Sequence, residues 1–245
     1  MKQIRIILLI FTILCPIIAS GQTKLQSDMY TAFLLHNVAK WESTTLNFEK
    51  KADLNKTSDL LQLIHLYYGW TSELIDKKQS KKAGENIQKA EEWIEKTLKK
   101  EPNNAEALNY KGVFLSYQIS FNRAKAPILG KQALTLIKKA YSIAPNNVQI
   151  LFDNGNAYYY PPKVLGGSKK EALKYFQKAI QIIEKRQDTK NNWIYVQTLM
   201  LEARCNELEG NLVEAKTGYE KILKIEPNFK EVKDRFYPEL LKKLN

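Results

Sequence analysis

The sequence predicts an all-α protein, an α-solenoid in which helical hairpins of similar shape lie side by side. Apolar residues recur at helical spacing along most of the chain, and a proline follows several of the predicted helices, as at Pro102, Pro145 and Pro227. A set of landmarks also recurs after 43 residues: Gly69, Ala90 and Pro102-Asn103-Asn104 are followed by Gly112, Ala133 and Pro145-Asn146-Asn147. A fixed period of this size is typical of stacked repeats.

The first 21 residues have the pattern of a secretory signal peptide. Lys2 and Arg5 precede an apolar run over residues 6–18, and small residues follow up to Gly21. We therefore expect cleavage after Gly21, an exported, periplasmic protein and one mature domain over residues 22–245. A retained membrane anchor and a lipidated Cys15 are the alternatives, although the apolar run is shorter than the ~20 residues of a spanning helix.

The chain carries a formal net charge of +12. Its lysines are spread over many predicted helices and do not cluster with aromatic residues, so we predict no nucleic-acid partner. After cleavage, Cys205 is the only cysteine, and it lies among apolar residues. Stability must then come from packing and not from a disulfide framework.

The first predicted element is a helix over residues 24–51, with a possible break near residues 43–45. Repeat units are then expected at residues 57–102 and 103–145, each made of a first helix, a connector and a second helix that ends at a proline. Asn103 or Asn104 is the predicted N-cap of the second unit's first helix.

The third unit is expected at residues 146–187. Its first helix runs into residues 161–167, where two prolines and two glycines predict a loop, and Ser168 caps the helix that follows. The fourth unit is expected at residues 191–227. Residues 228–245 then form a capping helix, bent at Pro238, that covers the end of the stack.

The fourth unit resembles the tetratricopeptide repeat, a helix-turn-helix unit of about 34 residues. The similarity rests on the spacing of Ala203, Gly210, Asn211, Ala215, Tyr219 and Pro227. The first three units are similar to the same repeat with longer connectors, although the third has Glu184 in place of the final proline. We expect the glycines at 69, 112 and 155 to lie where each first helix crosses its partner, opposite a small alanine.

The resemblance implies a right-handed superhelix whose first helices line a concave groove for a peptide or protein partner. Amide side chains suit this role because they bond a peptide backbone in both directions, and tyrosines supply contact area. The groove positions implied by the family are Asn109, Val113, Tyr117, Gln149, Asn156, Tyr159, Tyr160, Gln197 and Arg204. In the first unit, Trp70 and its neighbours are apolar enough to be covered by the N-terminal helix.

No motif for catalysis, a cofactor or a metal is present in the sequence, and the two histidines lack partners at metal-ligand spacing. The sequence therefore predicts a non-enzymatic scaffold or adaptor without cofactors that binds a protein partner, through which it could join a membrane complex. The alternative is a solute-binding accessory of a transporter, with Trp70 and residues 158–160 lining a pocket. The oligomeric state and the partner stay open.

Overall fold

The computed structural model describes residues 19–244, and within this range it contains eleven α-helices and no strand. The predicted signal peptide and Cys15 lie outside the described range, apart from residues 19–21, which begin the first helix. In the described part of the chain no helix is long and apolar enough to cross a membrane.

The chain begins with an N-terminal hairpin of α1 (Ala19–Leu34) and α2 (Val38–Glu49). We expected one helix broken near residues 43–45, and that position is wrong. The break lies at residues 35–37, where His36 has φ of +47° and the Asn37 side chain accepts a hydrogen bond from the Lys40 amide. An asparagine N-cap at this point starts a new helix.

Four repeat hairpins follow, and the helices of each pack against one another. Their first helices are α3 (Thr57–Asp76), α5 (Ala105–Phe121), α7 (Val148–Tyr159) and α9 (Trp193–Leu208). Their second helices are α4 (Ser80–Lys100), α6 (Ala126–Ile143), α8 (Lys169–Lys185) and α10 (Leu212–Ile225). Three second helices end two residues before a proline, as the sequence predicts. Asn104, Asn147, Ser168 and Asn192 cap the helices that follow them.

The C-terminal segment consists of a π-helical turn (Glu231–Phe236) and α11 (Tyr237–Leu244). Pro238 lies at the start of α11 and has no amide hydrogen to donate, so the regular hydrogen-bond ladder is interrupted beside it. Val232 and Leu240 are fully buried, which fixes this segment against the last repeat hairpin. The predicted C-terminal capping helix is therefore present, with a π-helical turn directly before it, and the bend at Pro238 stays a prediction.

Two of the three evenly spaced glycines allow a first helix to approach its partner. A Cβ added at Gly112 would lie 2.8 Å from the Ala133 carbonyl oxygen, as expected. One at Gly155 would lie 2.2 Å from the Phe176 ring, so this glycine faces a phenylalanine and not the predicted alanine. Gly69 differs from our expectation, because an added Cβ would meet the Trp41 ring of α2 at 2.4 Å. The N-terminal hairpin therefore packs on α3 through the surface that we assigned to α4.

The N-terminal hairpin also contacts the far end of the stack. Phe33 of α1 lies with its ring centroid 5.6 Å from that of Trp193 in α9 and 5.7 Å from that of Phe229. Trp41 of α2 meets Trp193 edge to face at 5.8 Å, and the Tyr30 hydroxyl donates to Glu226 at 2.6 Å. The stack thus curves until its first and last hairpins meet. The predicted α-solenoid of helical hairpins is confirmed.

We predict that Gly112→Ala lowers the free energy of unfolding by about 1–3 kcal/mol, because the new methyl group would overlap a backbone carbonyl that cannot move aside cheaply. Gly84→Ala in α4 is the matched control. No atom lies within 4 Å of its added Cβ, so the higher helix propensity of alanine should raise stability by about 0.5–1 kcal/mol. Urea denaturation of both variants measures the difference, and equal effects would contradict the close approach.

Candidate functional site

A buried carboxylate, Asp153, lies at the centre of the inner face formed by the first helices. It accepts hydrogen bonds from the Tyr68 hydroxyl (2.9 Å), Asn109 Nδ2 (2.6 Å) and Gln149 Nε2 (2.8 Å). These donors come from α3, α5 and α7, so one carboxylate connects three successive repeat hairpins. Two of the three, Asn109 and Gln149, are predicted groove residues.

Burial raises the pKa of Asp153 to about 6, and the hydrogen bonds from Gln149, Asn109 and Tyr68 limit that rise. The amide oxygens of Asn109 and Asn156 are also buried and lack a hydrogen-bond partner in the described structure. When Asp153 is protonated and neutral, its hydroxyl group adds one donor close to these two unpartnered amide oxygens. The cluster is therefore suited to hold the stack together and to respond to pH.

Aromatic rings surround this polar centre. The Trp193 ring centroid lies 5.6 Å from that of His65 and 5.9 Å from that of Tyr68, while Tyr68 stacks on Tyr117 at 5.8 Å. Asn109 is completely buried, and Val113 is 7% exposed. The structure thus places both of these predicted groove residues in the protein interior.

A second group of polar side chains lies where the first helices end. We call it the acidic mouth and define it by Glu73 and Asp76 at the end of α3, Glu231 of the C-terminal π-turn, His36 of the α1–α2 connection and Tyr160 after α7. The His36 Nδ1 atom lies 3.3 Å from Glu73 Oε2, and 66% of the Tyr160 side chain is exposed. The mouth is therefore built from four separate elements and opens to solvent.

Desolvation and neighbouring carboxylates raise the pKa values of Asp76 and Glu231 in the acidic mouth. Partial desolvation and the charge of Glu73 raise the pKa of Asp76, which still reaches solvent. Desolvation also raises the pKa of Glu231, and the charge of Asp76 adds to this effect while His36 and Arg235 oppose it. A cation placed between Asp76 and Glu231 would relieve this repulsion.

Arg204 of α9 is held in place against the C-terminal segment. Its Nη1 atom donates to Glu207 Oε2 at 2.6 Å, and its guanidinium lies 4.4 Å from the ring centroid of Phe236. Glu207 also accepts from the Tyr219 hydroxyl at 2.7 Å and from Lys243 at 2.6 Å. These contacts fasten the C-terminal helix onto α9 and leave Arg204 little freedom to move.

Predicted groove residues from three helices meet at this end of the stack. Arg204 lies near enough to Tyr159, and Tyr160 near enough to Tyr117, to influence the pKa of the respective tyrosine. Asn156 and Gln197 are partly exposed, but the amide oxygen of each is buried without a partner. We did not predict Asp76, Asp153 or Glu231. Their shared position depends on helices that are distant in sequence, so no local pattern indicates it.

Two surface depressions are lined by residues that belong to neither group. One, of about 560 Å³, is lined by residues of the α3–α4 connection, and the other, of about 480 Å³, lies between α5 and α6. Neither is lined by Trp70 or by residues 158–160, which the solute-binding alternative requires, and Trp70 is only 3% exposed. Within residues 19–244, no group of three histidine, cysteine or acidic side chains is arranged to hold a metal ion.

We predict that Asp153→Asn removes a pH-dependent loss of stability. An acid whose pKa is raised from 3.8 to about 6 on folding binds its proton more tightly in the folded state, so stability falls as pH rises from about 4 to 6. The stability of Asp153→Asn relative to wild type should therefore increase by about 2 kcal/mol between pH 4 and pH 7. Urea denaturation at several pH values tests this, and a constant difference would contradict it.

Comparison with known proteins supports the fold. A thermophilic TPR protein of Thermus thermophilus has a similar crystal structure, with a TM-score of 0.57 and 17% sequence identity. The match covers 89% of this chain and 99% of the other. It shows that both proteins have the tetratricopeptide-type fold that we predicted. No curated protein matches the sequence.

A protein family matches residues 80–231, which are more than half of the chain. The description of this family reads "Plant specific mitochondrial import receptor subunit TOM20". The description of a mitochondrial receptor contradicts the periplasmic location that we predicted, and that prediction is wrong. With this extent of match, the chain belongs to the family of the plant specific mitochondrial import receptor subunit TOM20.

Proposed function

We propose that this protein is a non-enzymatic receptor that binds a basic polypeptide segment of a partner at the acidic mouth. The tetratricopeptide-type fold is typical of scaffolds for protein interaction, and the family description names an import receptor. The observation that carries the proposal is the position of Tyr160, which lies close enough to Asp76 and Glu231 for their charges to raise its pKa and which packs on Tyr159.

The tyrosines favour a polypeptide ligand. Tyr159 and Tyr160 meet edge to face at 5.0 Å, so a large part of the exposed surface is rigid aromatic area. Aromatic side chains of this kind bind peptides with little loss of rotamer entropy. Arg204 and the partly exposed amides of Asn156 and Gln197 add polar groups from two neighbouring helices, as a peptide backbone requires.

The carboxylates favour a basic segment. The raised pKa values of Asp76 and Glu231 mean that their negative charges are incompletely compensated in the folded protein. A lysine or arginine side chain of the ligand would compensate them, and repulsion would disfavour an acidic segment. The interior position of Asn109 and Val113 supports a ligand that lies along the mouth and not along the centre of the concave face.

A peptide-binding measurement tests the proposal. A labelled 15-residue amphipathic peptide of leucine, serine and arginine is titrated with the protein and followed by fluorescence anisotropy. We expect Asp76→Asn/Glu231→Gln to weaken binding roughly fivefold to thirtyfold, as expected for two partly exposed ion pairs. Tyr160→Ala should weaken it as well.

Glu95→Gln/Glu214→Gln is the matched control, since it removes the same charge from exposed positions on the second helices α4 and α10. It should bind the peptide as the wild type does. A version of the peptide with glutamate in place of arginine should bind much more weakly. Equal affinity for both peptides, no binding of either, or an equal loss in the control variant would contradict the proposal.

A further inference from the structure

The two long connectors of the repeat hairpins carry exposed apolar side chains. Phe121 and Ile128 flank the connection between α5 and α6, and Val164 and Leu165 form the turn between α7 and α8. Val164 is 90% exposed, Ile128 67% and Leu165 62%. Large aliphatic side chains exposed to this degree gain free energy when they leave water, and in clusters they mark interaction surfaces.

These connectors project from the same edge of the stack. Each joins the end of a first helix to the start of a second helix, and α5 and α7 are neighbouring first helices that contact each other. Their C-terminal ends therefore lie side by side, about one interhelical spacing apart. We call these four apolar residues, with the basic residues Arg123, Lys125 and Lys163, the connector edge.

All charged side chains of the connector edge are positive. Residues 121–131 and 160–170 contain six lysines and arginines and no aspartate or glutamate. Arg123, Lys125 and Lys163 are exposed, and within residues 19–244 none of them lies within ion-pair distance of a carboxylate. The last connection on the same edge differs, because Glu209 and Glu214 accompany its exposed Leu208 and Val213.

We propose that the connector edge docks on a membrane surface that contains anionic lipids. Aliphatic side chains at the tips of turns can enter the interface between headgroups and acyl chains, while the neighbouring cations meet the lipid phosphates and carboxylates. The absence of acidic residues from both connectors gives the charge complementarity. The apolar and basic side chains of this surface are not those of the acidic mouth, although both groups lie where the first helices end.

A local probe tests the docking. An environment-sensitive nitrobenzoxadiazole label is attached to Val164→Cys in a chain that also carries Cys15→Ser, while Cys205 is buried and should not react. We expect a blue shift on vesicles of phosphatidylcholine with about 30% phosphatidylserine, and none on phosphatidylcholine alone. The readout is local to the connector, so lipid contact elsewhere in the chain, for instance by residues 6–18, does not contribute to it.

The control label is placed at Ile143→Cys, an exposed aliphatic position on the opposite edge, and should stay in water. The variant Arg123→Gln/Lys125→Gln/Lys163→Gln should raise the vesicle concentration for half-maximal response roughly 10- to 100-fold. Lys139→Gln/Lys185→Gln/Lys224→Gln removes the same charge elsewhere and should change it little. A probe at position 164 that stays in water on anionic vesicles, or an equal response on neutral vesicles, overturns the proposal.

Discussion

Phe33 of α1 packs against Trp193 of α9, and this contact joins the N-terminal hairpin to the last repeat hairpin. Since Trp193 also touches His65 and Tyr68 of α3, one aromatic side chain connects both ends of the stack with its first repeat. The inner face of the solenoid is consequently filled by the protein's own side chains. Polar groups near its centre must find partners inside the protein, and those at its ends remain open to other molecules.

The buried carboxylate Asp153 and the carboxylates of the acidic mouth illustrate this difference. Asp153 is buried and receives three hydrogen bonds from side chains on three helices, so its role is to hold those helices in register. Asp76 and Glu231 lie beside other acids at the open end and have raised pKa values. A buried carboxylate with donors stabilises the fold it sits in, whereas repelling carboxylates at a surface favour the arrival of a cation. The same residue type thus serves structure at one site and recognition at the other.

Much of the fold could be predicted from the sequence, because hairpins are built from local signals. The proline that follows a helix and the asparagine that caps the next one act within a few residues, and Asn104 and Asn147 cap their helices as expected. The return of α1 onto α9 could not be predicted, since it depends on curvature accumulated over four hairpins. For the same reason Gly69 was assigned to the wrong neighbour, and Asn109 was assigned to the open groove although it is buried.

Native-state hydrogen exchange tests the closure of the stack most directly, because it reports the free energy at which each segment opens. If α1 is an integral part of the core, the amides of Ala32 and Phe33 should exchange only through global unfolding, with the same free energy as those of Val196 and Leu199 in α9. Exchange of the α1 amides at a much lower free energy than that of α9 would show that the N-terminal hairpin opens independently, and would contradict a stack whose inner face is closed by its own ends.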